Sequence, residues 1–272
     1  MQQKIAFMGT PNFAVPILKC IYQNGHAISA VYTQPPKKSN RGQKIEKSPI
    51  HLLAETLNLN VRIPDKLKEN DSEYEYIKNL DLDLAIVIAY GQIIPKNFLS
   101  LSKNGFINLH ASILPKWRGA APIQRSIMNQ DKETGISVMK INERLDEGDI
   151  SNIFRINILE NENAESLSDR LSILASKNIS NIIDCIFEKK VSYQSQDHSK
   201  ATYAKKIKKT EGLIDWNDTA ENIIGKINGL YPYPGGYFLF KGERYKILRA
   251  EKSFSKENPG KVLTNDLEGG LW

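Results

Sequence analysis

The feature that most constrains this chain is the regular alternation, over its first 187 residues, of short apolar runs with longer amphipathic stretches. Residues 4–8 (KIAFM) run into Gly9, Thr10 and Pro11, after which Phe13, Val15, Ile17, Leu18 and Ile21 can line one side of a helix. Apolar runs at 28–32, 84–89 and 106–110 read as buried strands, and 135–141 and 149–158 as further strands. Helices are expected at about 50–57, 71–80, 121–129 and 164–187. Strands alternating with helices at this spacing predict an α/β fold, a mostly parallel sheet with helices on both faces. The Gly9-Thr10-Pro11 turn lacks G-x-G-x-x-G and the P-loop lysine, so it reads as a tight strand-to-helix turn. Residues 33–49 are polar and rich in Pro and Lys and read as a long exposed loop, a kind of segment that usually has a function when it interrupts a domain.

Composition shifts after residue 187. The stretch to residue 212 carries Lys189, Lys190, Lys200, Lys205, Lys206, Lys208 and Lys209 against few acids and little apolar material. It reads as a basic linker over 188–210, between a first domain at 1–187 and a second at 211–272. Beyond it are expected a short helix at 219–227, a Pro/Gly-rich turn at 231–236, strands at 237–240 and 244–248, and a third strand from Val262 and Leu263, the start of a small β domain.

The balance of 37 basic and 31 acidic residues gives +6, a mild excess that favours an anionic partner. Cys20 and Cys185 lie outside any ligand spacing, which argues against a disulfide framework or a zinc site and suits a reducing compartment. The longest apolar run, 84–90, is far short of the ~20 residues of a membrane span, and the N-terminus lacks a signal-peptide pattern, so a cytoplasmic location is expected.

Asn108 and His110, two apart at the end of a strand, project to the same face. An amide that donates to an oxyanion and an imidazole that exchanges a proton form a usable pair for carbonyl chemistry. The bland alternative, a turn-capping Asn and a core His, stands at about even weight on this pair alone. LDEGD at 145–149 supplies a carboxylate, with Asp146 and Asp149 unranked. No Ser or Cys sits in a nucleophile elbow, and His26, His51, His110 and His198 show no metal spacing. Positioning of two substrates plus an oxyanion donor fits this inventory best. Two basic clusters, Lys37, Lys38, Arg41 and Lys44 in the loop and Lys205, Lys206, Lys208 and Lys209 in the linker, flank the candidate site in sequence.

Asn108-x-His110-x-Ser112-x-Leu114-Pro115 with Asp146 in LDEGD resembles the signature of the 10-formyltetrahydrofolate-dependent formyltransferases. WRGAAPIQR (117–125), MGTPNFA (8–14), VYTQP with Arg41-Gly42, AYGQIIP (89–95) and YAKKI with IDW (203–216) resemble the branch that acts on methionyl-tRNA. The resemblance spans residues 4–262 and implies a Rossmann-like catalytic domain and an OB-like C-terminal domain, of which this chain would hold about three strands. It implies a catalytic trio of Asn108, His110 and Asp146, a folate site at Ser112, Ile113, Leu114 and Pro115 with the backbone near Tyr90 and Gly91, and no metal. It implies initiator methionyl-tRNA as partner, met by Arg41, Lys44, Lys205, Lys206, Lys208 and Lys209, and a chain acting as a monomer away from membranes. Pro36 stands where an acidic residue commonly follows QP in that family. A sugar-nucleotide or glycinamide-ribonucleotide formyltransferase shares the trio and is the competing enzyme reading. A non-catalytic RNA-binding protein on the same scaffold is the alternative outside enzymology.

Overall fold

Ile5 and Phe7 point to one face of the first strand and Ala6 and Met8 to the other, and all four are fully buried, so helices must cover both sides. The structure, a computed structural model, describes residues 2–39, 44–252 and 258–261. Strand β1 (Lys4–Gly9) leads through a 3-10 turn (Asn12–Ala14) into α1 (Val15–Gln23), β2 (Ala27–Tyr32), a two-stranded ribbon β3 (Lys37–Ser39) and β4 (Lys44–Glu46), and α2 (Pro49–Thr56). Then come β5 (Val61–Arg62), α3 (Asp71–Leu80), β6 (Leu84–Ile88), α4 (Lys96–Leu99) and β7 (Phe106–His110). The first domain continues with β8 (Arg118–Gly119), α5 (Pro122–Met128), β9 (Glu133–Lys140), β10 (Ile150–Asn157) and α6 (Ala164–Phe187).

The main sheet has the order β10-β9-β7-β6-β1-β2-β5, with β7, β6, β1, β2 and β5 parallel and β9 and β10 antiparallel at one edge. It is Rossmann-like, with the direction of winding reversing between β1 and β6, where ligands of open α/β sheets gather beyond the strand ends. One core holds Ile5, Phe7, Ile86 and Ile107 against Ile17 and Ile21 of α1 and Leu171 and Ile179 of α6. The other holds Met8, Tyr32, Ala85 and Phe106 against Ile77 of α3 and Phe98 of α4. The helix starts are written locally: Asn70 accepts from Glu73 N (3.1 Å) to begin α3, and Asn163 from Ser166 N (2.9 Å) to begin α6.

The turn after β1 is a tie across the reversal point. Thr10 Oγ1 donates to the Tyr90 carbonyl (2.8 Å) and accepts from Gln34 N (3.3 Å), while Gln34 Nε2 reaches the same carbonyl (3.3 Å). Within the stretch 33–49, expected as a loop, residues 37–39 and 44–46 pair as the β3–β4 ribbon.

Residues 188–210 do not form a free tether. Gln194 exchanges backbone hydrogen bonds with Ile150, and β11 (Tyr203–Ala204) pairs in parallel with β8. The segment is therefore laid along the catalytic domain before the chain enters α7 (Ala220–Leu230), β12 (Gly236–Phe240) and β13 (Glu243–Ile247). α7 packs on α5, and the β12–β13 hairpin turns at Lys241 and Gly242, both with positive φ (50° and 82°). The hairpin stacks Phe238 on Tyr245 (ring centroids 5.5 Å apart), with Trp216 edge-on to Phe238. The strand expected from Val262 lies outside the described residues.

Candidate active site

Asn108 and His110 end β7, two residues apart and on one face, as the strand period requires. Asp146 reaches them from the turn after β9. Its Oδ1 accepts from Asn108 Nδ2 at 3.5 Å and its Oδ2 lies 3.6 Å from His110 Nδ1. The structure thus brings the three sequence-predicted side chains together, with the His110 and Asp146 side chains only 7% and 11% exposed. Asp149, the unranked alternative, is exposed, and its carbonyl is committed to Lys140 N (2.9 Å).

The support comes from Trp117-Arg118-Gly119. The Trp117 carbonyl lies 2.9 Å from His110 Nε2, and because a carbonyl only accepts, that nitrogen carries a proton. Nδ1, facing Asp146, is the nitrogen left to gain or lose one. Gly119 N donates to Asp146 Oδ2 (2.8 Å), which leaves Oδ1 as the less engaged oxygen. Gly119 itself has φ +116°, and a Cβ there would lie 2.8 Å from the Ala204 carbonyl, so only glycine suits. Asp146 is in the left-handed region (φ 52°), an uncommon backbone state that persists where the surroundings hold it.

The turn carrying Asp146 is held from below. At Gly148 a Cβ would lie 1.7 Å from the Lys140 carbonyl. Arg118 is 1% exposed, with its charge met by Glu147 Oε1 at 3.2 Å and by Gln196. Arg118, Gln196 and the Trp117 carbonyl were missed by sequence reasoning. The WRGAAPIQR motif marks Trp117 and Arg118 as a stretch without giving their roles, and nothing in the sequence marks Gln196.

The loop after β7 is partly spent on its own architecture. Ser112 is fully buried and donates from Oγ to the Lys116 carbonyl (2.6 Å), and Leu114 N donates to Ser137 Oγ (3.0 Å). Ile113 and Pro115 remain half-buried. Tyr90 has its ring in the core against α3 and α4, where burial first and the Glu73 charge second push its phenol well above the usual tyrosine range. Gly91 is exposed with φ +83°. Two exposed aliphatic side chains, Ile93 and Leu145, stand in the loop after β6 and beside Asp146.

Lys205, Lys206, Lys208 and Lys209 are all exposed. The first three line a pocket of about 460 Å³ with Arg125, Tyr203 and Glu211. Arg125 Nη1 pairs with Glu211 Oε2 (2.7 Å), and that contact holds the Glu211 carboxyl below the ordinary range. Arg41 lies outside the described residues, as does the side chain of Lys44. Among the described residues no helix is long and apolar enough to cross a membrane, and no three His, Cys, Asp or Glu side chains form a metal-holding group.

Comparison with known proteins follows the same lines. A formyl transferase family model matches residues 3–183, and a formyl transferase C-terminal domain model matches residues 206–272. The chain is 63% identical over 268 residues to a methionyl-tRNA formyltransferase of Pelagibacter ubique (strain HTCC1062), covering 98% of this chain and 86% of that protein. It is 44% identical over 264 residues to a methionyl-tRNA formyltransferase of Parvibaculum lavamentivorans (96% and 85%). Among solved structures it resembles a 4-N formyltransferase from Francisella tularensis (TM-score 0.72, 19% identity, 93% of this chain and 99% of that one). It also resembles HypX from Aquifex aeolicus in complex with tetrahydrofolic acid (TM-score 0.70, 14% identity, 97% and 40%). At those identities the two structures speak for the fold alone. Sequence matches over nearly the whole chain, on a sheet that gathers an Asn, a His and an Asp at its ligand-facing end, place this chain in the formyl transferase family.

Proposed function

We propose that Asn108, His110 and Asp146 form the centre at which the chain transfers the formyl group of 10-formyltetrahydrofolate to the free α-amino group of methionyl initiator tRNA. The observation that carries this reading is the convergence of the three side chains within 3.6 Å of one another's polar atoms through Asp146, in a chain 63% identical to a methionyl-tRNA formyltransferase. The donor, when bound, supplies a formyl carbon open to attack by an amine. Asn108 Nδ2 is positioned to donate to the formyl oxygen as negative charge develops there. Asp146 Oδ1, free of the Gly119 bond, accepts the proton that the amine sheds; the bond from the formyl carbon to the donor nitrogen then breaks, that nitrogen takes up a proton, and tetrahydrofolate leaves. His110, fixed through Nε2 by the Trp117 carbonyl, presents Nδ1 to the same space, and its protonated form adds positive charge beside the oxygen.

The residues present fit a folate. Ile93 (88% exposed) and Leu145 (64% exposed) offer apolar contact to an aromatic ring system. Half-buried Ile113 and Pro115 are assigned further apolar contact, Ser112 and Leu114 fix the loop that carries them, and the backbone at Tyr90 and Gly91 is assigned to the pterin. For the tRNA, the exposed lysines 205, 206, 208 and 209 beside the Arg125 pocket supply positive charge on the path between the domains, and Arg41 and Lys44 are assigned to the acceptor end. We assign the catalytic domain to 1–187, the basic connecting segment to 188–210 and the tRNA-holding domain to 211–272. The ends of the two matched regions, 183 and 206, support that division.

The test is side-by-side formylation of charged initiator tRNA and an amino-sugar nucleotide with 10-formyltetrahydrofolate. The tRNA is expected to be formylated and the sugar nucleotide not. The opposite preference overturns the assignment, and tRNA binding without turnover supports the non-catalytic alternative.

A further inference from the structure

Gln196 sits in the segment between the two matched domains and is 6% exposed, an unusual position for a glutamine in a stretch otherwise rich in exposed lysine. Its side chain has every polar atom engaged. Nε2 donates to the Asp146 carbonyl (2.9 Å) and to the Gly148 carbonyl (2.8 Å), and Oε1 accepts from Arg118 Nε (3.1 Å) and Nη2 (2.7 Å). The orientation of the amide is unambiguous, because a guanidinium only donates and a carbonyl only accepts. Arg118 is fixed in turn by Glu147 Oε1 and by His198 Nδ1, which accepts from Nη2 at 3.0 Å. That contact requires His198 to be unprotonated at Nδ1, so the Arg118 bond and an ion pair of His198 with Glu147 through the same nitrogen are alternatives.

We propose that Gln196, backed by Arg118, is a positioning residue that holds the backbone of the 146–148 turn so that the Asp146 carboxylate faces Asn108 and His110. The proposal rests on the reading of Asp146 as the proton acceptor. Its physical basis is that Asp146 holds a left-handed backbone, with one carboxylate oxygen tied to Gly119 N, and only the Gln196 side chain, among the described residues, ties the carbonyls on both sides of Glu147. Seven residues further on, the same segment enters β11, which pairs with β8 and so with Gly119 itself. The connecting segment thus reaches Asp146 twice, through a side chain at its carbonyl and through the strand pairing that places Gly119 N. Docking of this segment and alignment of the trio are one structural event.

Gln196→Glu tests this in the full chain. The glutamate keeps the shape and still accepts from Arg118, but sets a carboxylate oxygen against two carbonyls under 3 Å away. With saturating donor and charged tRNA, kcat is expected to fall at least ~10-fold, with both KM values within ~2-fold, because the lost interaction is felt only where Asp146 takes the proton. The thermal midpoint is expected to stay within ~5 °C. In an Asp146→Asn background the same substitution is expected to change the residual rate less than ~2-fold, since residues acting as one unit are not additive. A kcat within 2-fold of the parent, a loss carried in KM, or full additivity with Asp146→Asn overturns the proposal. If Gln196→Glu does not fold, Arg118→Lys, which keeps the charge and loses the fork, serves the same comparison. Loss of fold in both assigns the pair to scaffold alone. Parental activity in Asp146→Asn overturns the reading of the trio instead, so the two failures are distinguishable.

Discussion

Replacing Gly119 by alanine adds one methyl group and is expected to damage the site through the backbone alone. The residue has φ +116°, and the new Cβ would lie 2.8 Å from the Ala204 carbonyl, which already accepts from Ala120 N (2.9 Å) and Ala121 N (3.2 Å). Forcing an L-residue into that region costs about 1–3 kcal/mol, against a gain of about 0.4–1 kcal/mol from a stiffer unfolded chain. The net loss of about 1–2 kcal/mol corresponds to a fall of about 2–8 °C in thermal midpoint for a domain of this size. Relief of the strain moves Gly119 N away from Asp146 Oδ2, where it now donates at 2.8 Å. A hydrogen bond to a charged group is worth about 1.5–3 kcal/mol, so kcat should fall by about 10- to 100-fold if the bond aligns the carboxylate in the transition state. Steady-state formyl transfer at saturating substrates, with a thermal melt of the same preparation, measures both effects. Parental kcat and an unchanged midpoint would refute the claim that this peptide unit supports Asp146.

Other sites answer different questions. Glu73 is buried and accepts from Tyr32 Oη (2.8 Å) and from Arg62; Glu73→Ala should cost about 3 kcal/mol, the low end for breaking a buried pair because Arg62 is a third exposed, while leaving KM values unchanged in the folded enzyme. Burial first and then the Glu73 hydrogen bond hold the Tyr32 phenol far above the usual range, so no phenolate absorbance from it should appear up to ~pH 11, against the usual midpoint near ~10. The Arg125 hydrogen bond lowers the Glu211 carboxyl, so its tie to Lys208 N is complete above the usual glutamate value of ~4.3 and is lost as pH falls through the lower folded value; protection of the Lys208 amide should persist through the pH at which an ordinary glutamate protonates, and loss of protection in that range would contradict the tie. Changing Lys205, Lys206, Lys208 and Lys209 to Ala should weaken tRNA binding and reduce its log-log salt slope by ~0.7–0.9 for each lysine that meets a phosphate, and an unchanged slope would move the tRNA elsewhere.

What could be read from the sequence follows from how local each signal is. β1 and β6 carry continuous apolar runs because both faces of the sheet are covered, β7 alternates apolar residues with Asn108 and His110, and α3 and α6 begin at asparagine caps, so their positions are legible. Asn108 and His110 pair from the strand period alone, whereas residue chemistry leaves Asp146 and Asp149 unranked and only the resemblance to the formyltransferases names Asp146, the one the fold sets beside His110. The β3–β4 ribbon reads as loop in the sequence because every one of its residues but Ile45 is polar and nothing in its periodicity marks a strand. The segment at 188–210 was read as a linker for a related reason: β11 is two residues long and pairs with a two-residue β8, an arrangement that leaves no trace in hydropathy. Gln196 and Arg118 lie 78 residues apart in the chain, and each means little without the other.

The most direct test of the central claim is the single-turnover rate of Asn108→Ala with 10-formyltetrahydrofolate and charged initiator tRNA. Removing one oxyanion donor typically costs ~100- to 1,000-fold in rate, and among the described residues the Asn108 side-chain amide makes only the 3.5 Å contact to Asp146, so the fold should be nearly unaffected. A loss of that size with an unchanged thermal midpoint is the predicted result. Formylation at the parental rate would contradict the assignment of the trio.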